Sequence, residues 1–413
     1  MKPKISFMLR CLISSLVLSA TGFVNTMDVS ALPKPARVVS SDTDGVGQAF
    51  KDKKFDTLSP DKLRSRMPML VSPPTGTSVA PANVQGESSG SAQGSGDQNV
   101  VPAAFGSASG VPFSTSRVLG GTTNEAQADT YRRAGKLYMA FGGTTYNYIC
   151  SASLIGKSLV VTAAHCVHNF GQQANGWATK VKFVPAFKGT TNSRPYGEFE
   201  SSTYLISGTY YNGTDTCDSS APGVVCNNDI ALIALPNNSS GQQAGVMAGW
   251  FGYGWNDFSF ATPVSGFFQN VFGNKKFAAI TQLGYPGSFD SGNIMQINTA
   301  YGASYINGNL QNTVLGSAMT GGSSGGPWLV NFGINATGGT YGSATNRNIV
   351  VGVTSWGYTD PNTKVMGASR FGQNVQFPNS AYGTRGAGNI GAFVNFACDD
   401  PAGWKLQSLG RCS

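Results

Sequence analysis

Thr320-Gly321-Gly322-Ser323-Ser324-Gly325-Gly326-Pro327-Trp328 reads as a catalytic loop with Ser324 as nucleophile. A serine hydroxyl at its ordinary pKa is a weak nucleophile, so it needs a neighbouring base and a turn that orients it. Gly325 and Gly326 remove Cβ bulk where a substrate backbone would approach. Gly322 lets the loop bend until its N–H and that of Ser324 converge on one point. Two such donors form an oxyanion hole, and losing one typically costs ~10²–10³ in rate. The same composition also suits an ordinary turn before a strand. The reading therefore depends on partners elsewhere in the chain.

Val161-Thr162-Ala163-Ala164-His165-Cys166 follows an apolar run and holds one of only two histidines in 413 residues. The other, His168, reads as a surface loop residue. Asn228-Asp229-Ile230-Ala231-Leu232-Ile233-Ala234-Leu235 puts one carboxylate at the mouth of a strand-like run. The order His165, Asp229, Ser324 is one of the known orders of a Ser-His-Asp triad. On these residues (TAAHC, DIAL and GGSSGGP) the chain resembles the chymotrypsin-like serine endopeptidases over about residues 118–395. Gly284-Tyr285-Pro286-Gly287 and the serine before the nucleophile are most similar to the secreted glutamyl-endopeptidase, or V8-like, branch.

The resemblance implies an all-β fold of two antiparallel six-stranded barrels with the active site between them. The N-terminal barrel would span about 118–245 and the C-terminal one about 260–395, followed by a disulfide-tied tail at 396–413. It implies that His165 takes the proton of Ser324 and returns it to the leaving amine, through an acyl-enzyme. Asp229 would hold the imidazole, and Gly322 and Ser324 would supply the oxyanion donors. Val353-Thr354-Ser355-Trp356-Gly357 matches the strand that runs beside substrate, so Thr354, Ser355, Trp356 and Gly357 are expected there. Ser355 would bond Asp229.

The residues that set specificity in the family differ here. Glutamyl endopeptidases use a His and a Thr where this chain has Thr354 and Met319. Trypsin-like enzymes carry a carboxylate where it has Ala318. With no charge at either place, burial of a charged residue before the scissile bond would go uncompensated. An apolar or small residue is expected there. Asp360 is the nearest later carboxylate.

Charged residues make up 12% of the chain, against ~25% in a typical domain. The formal charge of +8 is shared out: residues 1–117 hold 12 Lys/Arg and 8 Asp/Glu, leaving 16 and 12 in residues 118–413. No basic cluster stands out, which argues against a nucleic-acid partner. The expected partners are peptide or protein substrates, with a monomeric enzyme and no cofactor or metal.

Residues 1–31 read as a signal peptide. Lys2, Lys4 and Arg10 precede the apolar run Cys11 to Val24, which is short for a bilayer span. Leu18-Ser19-Ala20 and Val29-Ser30-Ala31 both offer cleavage sites. The product would be secreted, with no membrane attachment after signal removal. Six cysteines remain, and they allow 15 pairings. Cys150–Cys166 has the spacing of the family's histidine-loop disulfide, which could add ~3 kcal/mol. Proximity suggests Cys217–Cys226 and Cys398–Cys412. No Cys-x-x-Cys pair speaks for a metal site.

Residues 32–117 read as a pro-segment, ending in a Pro/Gly/Ser-rich linker at 71–116 that cannot bury enough apolar surface to order itself. Its loss is expected to cost the fold little. Arg117-Val118-Leu119-Gly120-Gly121 resembles the family's activation cleavage point, so processing is expected between Arg117 and Val118. The position of the family's partner aspartate for the freed amine is Ser323. From residue 118 onward, short β-like runs alternate with Gly, Asn and Pro, as in a barrel or sandwich. Trp250 to Trp255 would lie between the barrels, and a short helix is expected near Asn389 to Phe396. Asn212, Asn237, Asn238 and Asn335 head glycosylation sequons if the source is a eukaryote. A secreted, catalytically silent binding protein on the same fold is the alternative. A lipase is disfavoured, because its Ser-Asp-His order differs.

Overall fold

Side chains along a strand alternate between two faces, and Ala134–Ala140 buries both. Leu137 and Met139 enter the interior of a first sheet with Val181, Phe183 and Ile233. Tyr138 and Ala140 face the opposite way, into a core that also takes Leu283, Leu329 and Val353 from a second sheet. The computed structural model describes residues 38–41, 67–68, 113–118, 126, 128–189, 194–219, 221, 223–261, 266, 275–334, 346–358 and 364–412. All of these fall in one unit, Pro35–Ser413.

In chain order the strands are β1 (Val38–Ser40), β2 (Met67–Pro68), β3 (Phe113–Arg117), β4 (Ala134–Ala140), β5 (Tyr148–Leu154), β6 (Leu159–Thr162), β7 (Lys180–Pro185), β8 (Phe199–Ser201), β9 (Tyr204–Ser207) and β10 (Ala231–Ala234). They continue as β11 (Gly252–Tyr253), β12 (Phe277–Gly284), β13 (Gln296–Asn307), β14 (Leu310–Gly316), β15 (Pro327–Val330), β16 (Ile349–Gly357) and β17 (Val365–Arg370). The fold is all-β apart from short helices. The first sheet runs β1-β9-β10-β6-β5-β4-β7-β8, with β2 beside β5. In the second, β16-β15-β12-β13-β14-β17 closes on itself through the β16–β17 pair, a six-stranded barrel.

The first sheet departs from the expected closed barrel. Ser201 Oγ donates to Ala234 O at 2.7 Å, which brings the end of β8 back to β10. No ladder joins those two strands among the described residues, because β9 follows β8 at once and takes the free edge of β10 through Leu205 opposite Leu232.

Three cores result. Leu137, Val160, Phe183 and their neighbours fill the first sheet, and Ile280, Trp328 and Val351 fill the second barrel. The third lies between the sheets and extends to the C-terminal helix, Gly388–Cys398, through Ile390 and Phe393. The 250–255 segment does connect the two halves. Phe251 N–H donates to Leu154 O and Gly254 N–H to Val350 O, each at 2.9 Å. Lys136 is fully buried in this inter-sheet core, its ammonium 4.9 Å from the Tyr138 ring centre and 4.8 Å from that of Phe187. Burial pushes its pKa down to about 7.

The segment read as pro-segment and linker is partly built into the sheets. β1 pairs with β9, β2 with β5 and β3 with β13. The Arg117–Val118 bond thus follows a paired strand, where β13 offers an open edge, rather than a free linker. The signal region, most of residues 32–112, Asn335 and Asp360 lie outside the described residues. Among the described residues no helix is long and apolar enough to cross a membrane.

Candidate active site

Leu159-Val160-Val161-Thr162 is apolar and branched and runs as β6. The small pair Ala163-Ala164 then turns the chain into a single 3-10 turn, Ala164–Cys166, which carries His165. The Cys150–Cys166 disulfide ties this turn to β5. Asp229 ends the loop before β10 and is fully buried. Three donors meet its carboxylate. The His165 backbone N–H reaches Oδ1 at 2.8 Å, His165 Nδ1 reaches Oδ2 at 2.7 Å, and Ser355 Oγ reaches Oδ2 at 2.6 Å. A buried carboxylate needs such donors. They also fix the ring: with the proton on Nδ1, Nε2 is the basic nitrogen. Nε2 is buried and has no hydrogen-bond partner among the described residues.

Asp229 is held from behind by Asn228. The Asn228 N–H donates to Asp215 Oδ2 at 2.8 Å, and its Nδ2 donates to Asp215 Oδ1 at 2.7 Å. Its Oδ1 accepts from Asn374 Nδ2 at 2.8 Å and from Asn389 Nδ2, on the C-terminal helix, at 3.1 Å. Burial pushes Asp215 up to about 6, against the pull of the Asn228 bonds. The buried Tyr210 phenol is pushed well above its ordinary pKa by burial, then by the charges of Asp229 and Asp215.

The Ser324 loop is pressed against the His165 corner. Gly325 has φ +76°, and a Cβ there would lie 1.9 Å from Thr162 Oγ1. Gly322 has φ +97°, and its Cβ would lie 2.6 Å from Tyr285 O. Any other residue would be strained at both positions. Ser151 on β5 braces the loop. Its N–H donates to Ser324 O at 2.7 Å, its Oγ donates to Gly322 O at 2.8 Å, and the same Oγ accepts the Tyr285 N–H at 2.9 Å. With the Gly322 carbonyl held by Ser151, the N–H groups of Gly322 and Ser324 donate to no other group among the described residues. Ser323 turns back on its own loop, Oγ to Thr320 O at 2.6 Å.

Thr354 points into the second barrel. Its Oγ1 accepts from Gln282 Nε2 and from Trp328 Nε1, both at 2.9 Å. Gln282 Oε1 accepts from Ser317 Oγ at 2.9 Å, and Ser317 Oγ accepts the Met319 N–H at 3.1 Å. This chain of bonds leads to Ala318 and Met319 and carries no charge. Trp356 is buried, its Nε1 bonded to Asn312 Oδ1 at 2.8 Å, and Gly357 ends β16.

Cys217–Cys226 and Cys398–Cys412 are also disulfide-bonded. The two groups of metal-ligand residue types among the described residues, Cys150/His165/Cys166 and Asp215/Cys217/Cys226, both have their sulfurs committed to these bonds. The reading of His168 needs correction. It is fully buried, 4.6 Å from the Trp177 ring, with Nε2 donating to Gln173 O at 2.7 Å. Its surroundings are aromatic because Tyr210 and Tyr211 fold over it, and burial lowers its pKa. Sequence reasoning missed Ser151, Gln282 and Asp215. For the first two, the available signal was a polar side chain within a largely apolar strand. Asp215 gave none.

The family profile described as Trypsin matches residues 123–375. A curated protein of Bacillus subtilis (strain 168), named extracellular metalloprotease, is 30% identical over 123 residues, 30% of this chain and 33% of that protein. The chain thus spans about a third of the length of that relative. Among solved structures, the protease Anisep from Arthrobacter nicotinovorans is 23% identical with a TM-score of 0.42, covering 59% of this chain and 92% of that one. A Glu endopeptidase in complex with MPD is 16% identical with a TM-score of 0.40, covering 72% and 96%.

Proposed function

The chain belongs to the trypsin family; on that premise we propose that it is a serine endopeptidase acting on peptide or protein substrates, and that Ser324, His165 and Asp229 carry the reaction. The single observation that supports this most is the capture of Asp229 by the His165 N–H, the His165 ring and Ser355. It leaves Nε2 as a base in a loop corner that also touches the Ser324 turn. In this reading Ser324 Oγ attacks the scissile carbonyl carbon and passes its proton to Nε2. The Gly322 and Ser324 N–H groups meet the negative charge that develops on the carbonyl oxygen. Collapse of the tetrahedral species expels the amine, which takes the proton from Nε2, and leaves an acyl-enzyme on Ser324. Water then reverses the same steps.

The uncharged chain Thr354-Gln282-Ser317 supports an apolar or small residue before the scissile bond. Residues 1–31 are proposed as an export signal and the stretch after them as a pro-segment. The three disulfides suit an oxidising destination outside the cell. Fluorophosphonate labelling of the processed protein tests the assignment. One adduct on Ser324, and none in Ser324→Ala, is the expected result. Near wild-type hydrolysis by Ser324→Ala would remove it, since loss of a triad member typically costs ~10⁴–10⁶ in kcat.

A further inference from the structure

β13 is longer than either strand on its outer edge. β14 pairs with it only from Ala303 to Asn307, then diverges toward Gly316, Ser317 and Ala318. β3 fills the wedge that this leaves, pairing Phe113–Arg117 with Gln296–Ala300. The backbone groups on that stretch of β13 would otherwise lack partners, and buried backbone groups rarely do.

Thr115 sits at the centre of the wedge and bridges both sides. Its Oγ1 donates to Asn298 Oδ1 at 2.5 Å and accepts the Ala318 N–H at 3.2 Å. Asn298 Nδ2 donates to Gly316 O at 2.9 Å, so Thr115 and Asn298 together fasten the 316–318 turn to the barrel. Phe113 packs on the core that holds Met319 and Trp328. The other end of the strand is fixed as well. Arg117 is ion-paired with Asp290, and the Val118 N–H donates to Met295 O at 3.0 Å. One hydroxyl from the segment read as disposable linker therefore orders the chain that leads into the Ser324 loop.

We propose that Thr115 is a positioning residue of the working enzyme, holding Ala318 at the wall that receives the residue before the scissile bond, and that the mature chain begins ahead of Phe113. This rests on the reading of Ser324 as nucleophile. The alternative end, after Arg117, would strip the five residues of β3 and leave the Ala318 N–H and the Asn298 side-chain Oδ1 without these partners.

The experiment compares two processed enzymes, with an enteropeptidase recognition sequence placed before Phe113 or before Val118. Thr115→Val and Thr115→Ser are made in the longer form. Fluorophosphonate titration counts active serines, and kcat/KM is measured on peptides with Ala, Leu or Phe before the scissile bond. Thr115→Val is expected to lower kcat/KM by about 3- to 10-fold, the usual range for one hydrogen bond, mainly through KM and with a changed Ala-to-Phe ratio. Thr115→Ser keeps both bonds and should restore the wild-type ratio. The Val118-start enzyme should lose at least as much as Thr115→Val. A Val118-start enzyme as active as the Phe113-start enzyme would overturn the proposal, as would Thr115→Val with full titration and an unchanged ratio. Failure of the unaltered enzyme to titrate would overturn it together with the Ser324 assignment.

Discussion

Lys136→Met should stabilise the protein, and the gain should fade as pH rises. The ammonium lies in the inter-sheet core, and burial lowers its pKa from 10.5 to about 7. A group whose charged form is disfavoured by folding costs stability below its folded pKa, and the cost disappears as pH climbs toward the unfolded value. A displacement of this size corresponds to about 5 kcal/mol when the lysine is fully charged in both states, near pH 6. Part of it is returned by the rings of Tyr138 and Phe187, each worth about 0.5–2 kcal/mol. The Asn293 amide, at 3.4 Å, adds little at that length. Methionine has similar length and needs no solvation, so a net gain of about 2–3 kcal/mol is expected at pH 6. That amounts to about 5–10 °C in Tm. Near pH 10 the gain should approach zero. Scanning calorimetry at pH 6, 8 and 10, in a Ser324→Ala background to prevent self-digestion, reads all three values. An unchanged or lower Tm at pH 6 would refute the reasoning, as would a gain that does not depend on pH.

Three further outcomes are expected. Ser355→Ala removes one of the three donors to Asp229 and should cut kcat by about 10-fold with KM nearly unchanged; steady-state kinetics on one peptide checks it. Asp215→Asn removes a carboxylate that burial holds at about 6, so the wild type carries a cost above that pH which disappears toward pH 4. Denaturant unfolding should show the variant gaining on the wild type by about 3 kcal/mol between pH 4 and pH 7. A peptide-library digest should show cleavage mainly after apolar or small residues; a dominant signal after Glu, or after Arg and Lys, would count against the uncharged Thr354-Gln282-Ser317 chain as the deciding feature.

The strands that the sequence announces are those whose burial is apolar on both faces. β6 and β10 stand out because Val160, Val161, Leu232 and Ile233 have no polar neighbour to interrupt them. β14 is hard to read because polar side chains interrupt its buried apolar ones, Leu310, Val314 and Leu315. Asn312 and Thr313 lie inside, and Asn312 bonds to Cys226 O and the Trp356 indole, both far along the chain. Periodicity cannot reveal a polar side chain whose partners lie on distant segments. The site divides in the same way. His165, Asp229 and Ser324 sit in local motifs, whereas the supports of Asp229 come from residues 215, 374 and 389.

β3 shows why residues 113–116 read as linker although they pair with β13. Phe113-Ser114-Thr115-Ser116-Arg117 is mostly polar and follows a Pro/Gly/Ser-rich stretch, so composition assigns it to linker. It becomes a strand because β14 leaves β13 early and an edge stands open. An open edge binds whatever backbone can reach it, and a strand so recruited needs little apolar content of its own. Its one demanding position is Thr115, where Oγ1 has to donate to one neighbour and accept from another. A serine could do the same and a valine could not. The information that makes residues 113–117 part of the barrel therefore lies in β13 and β14, roughly two hundred residues later in the chain, where no local reading of the linker can find it.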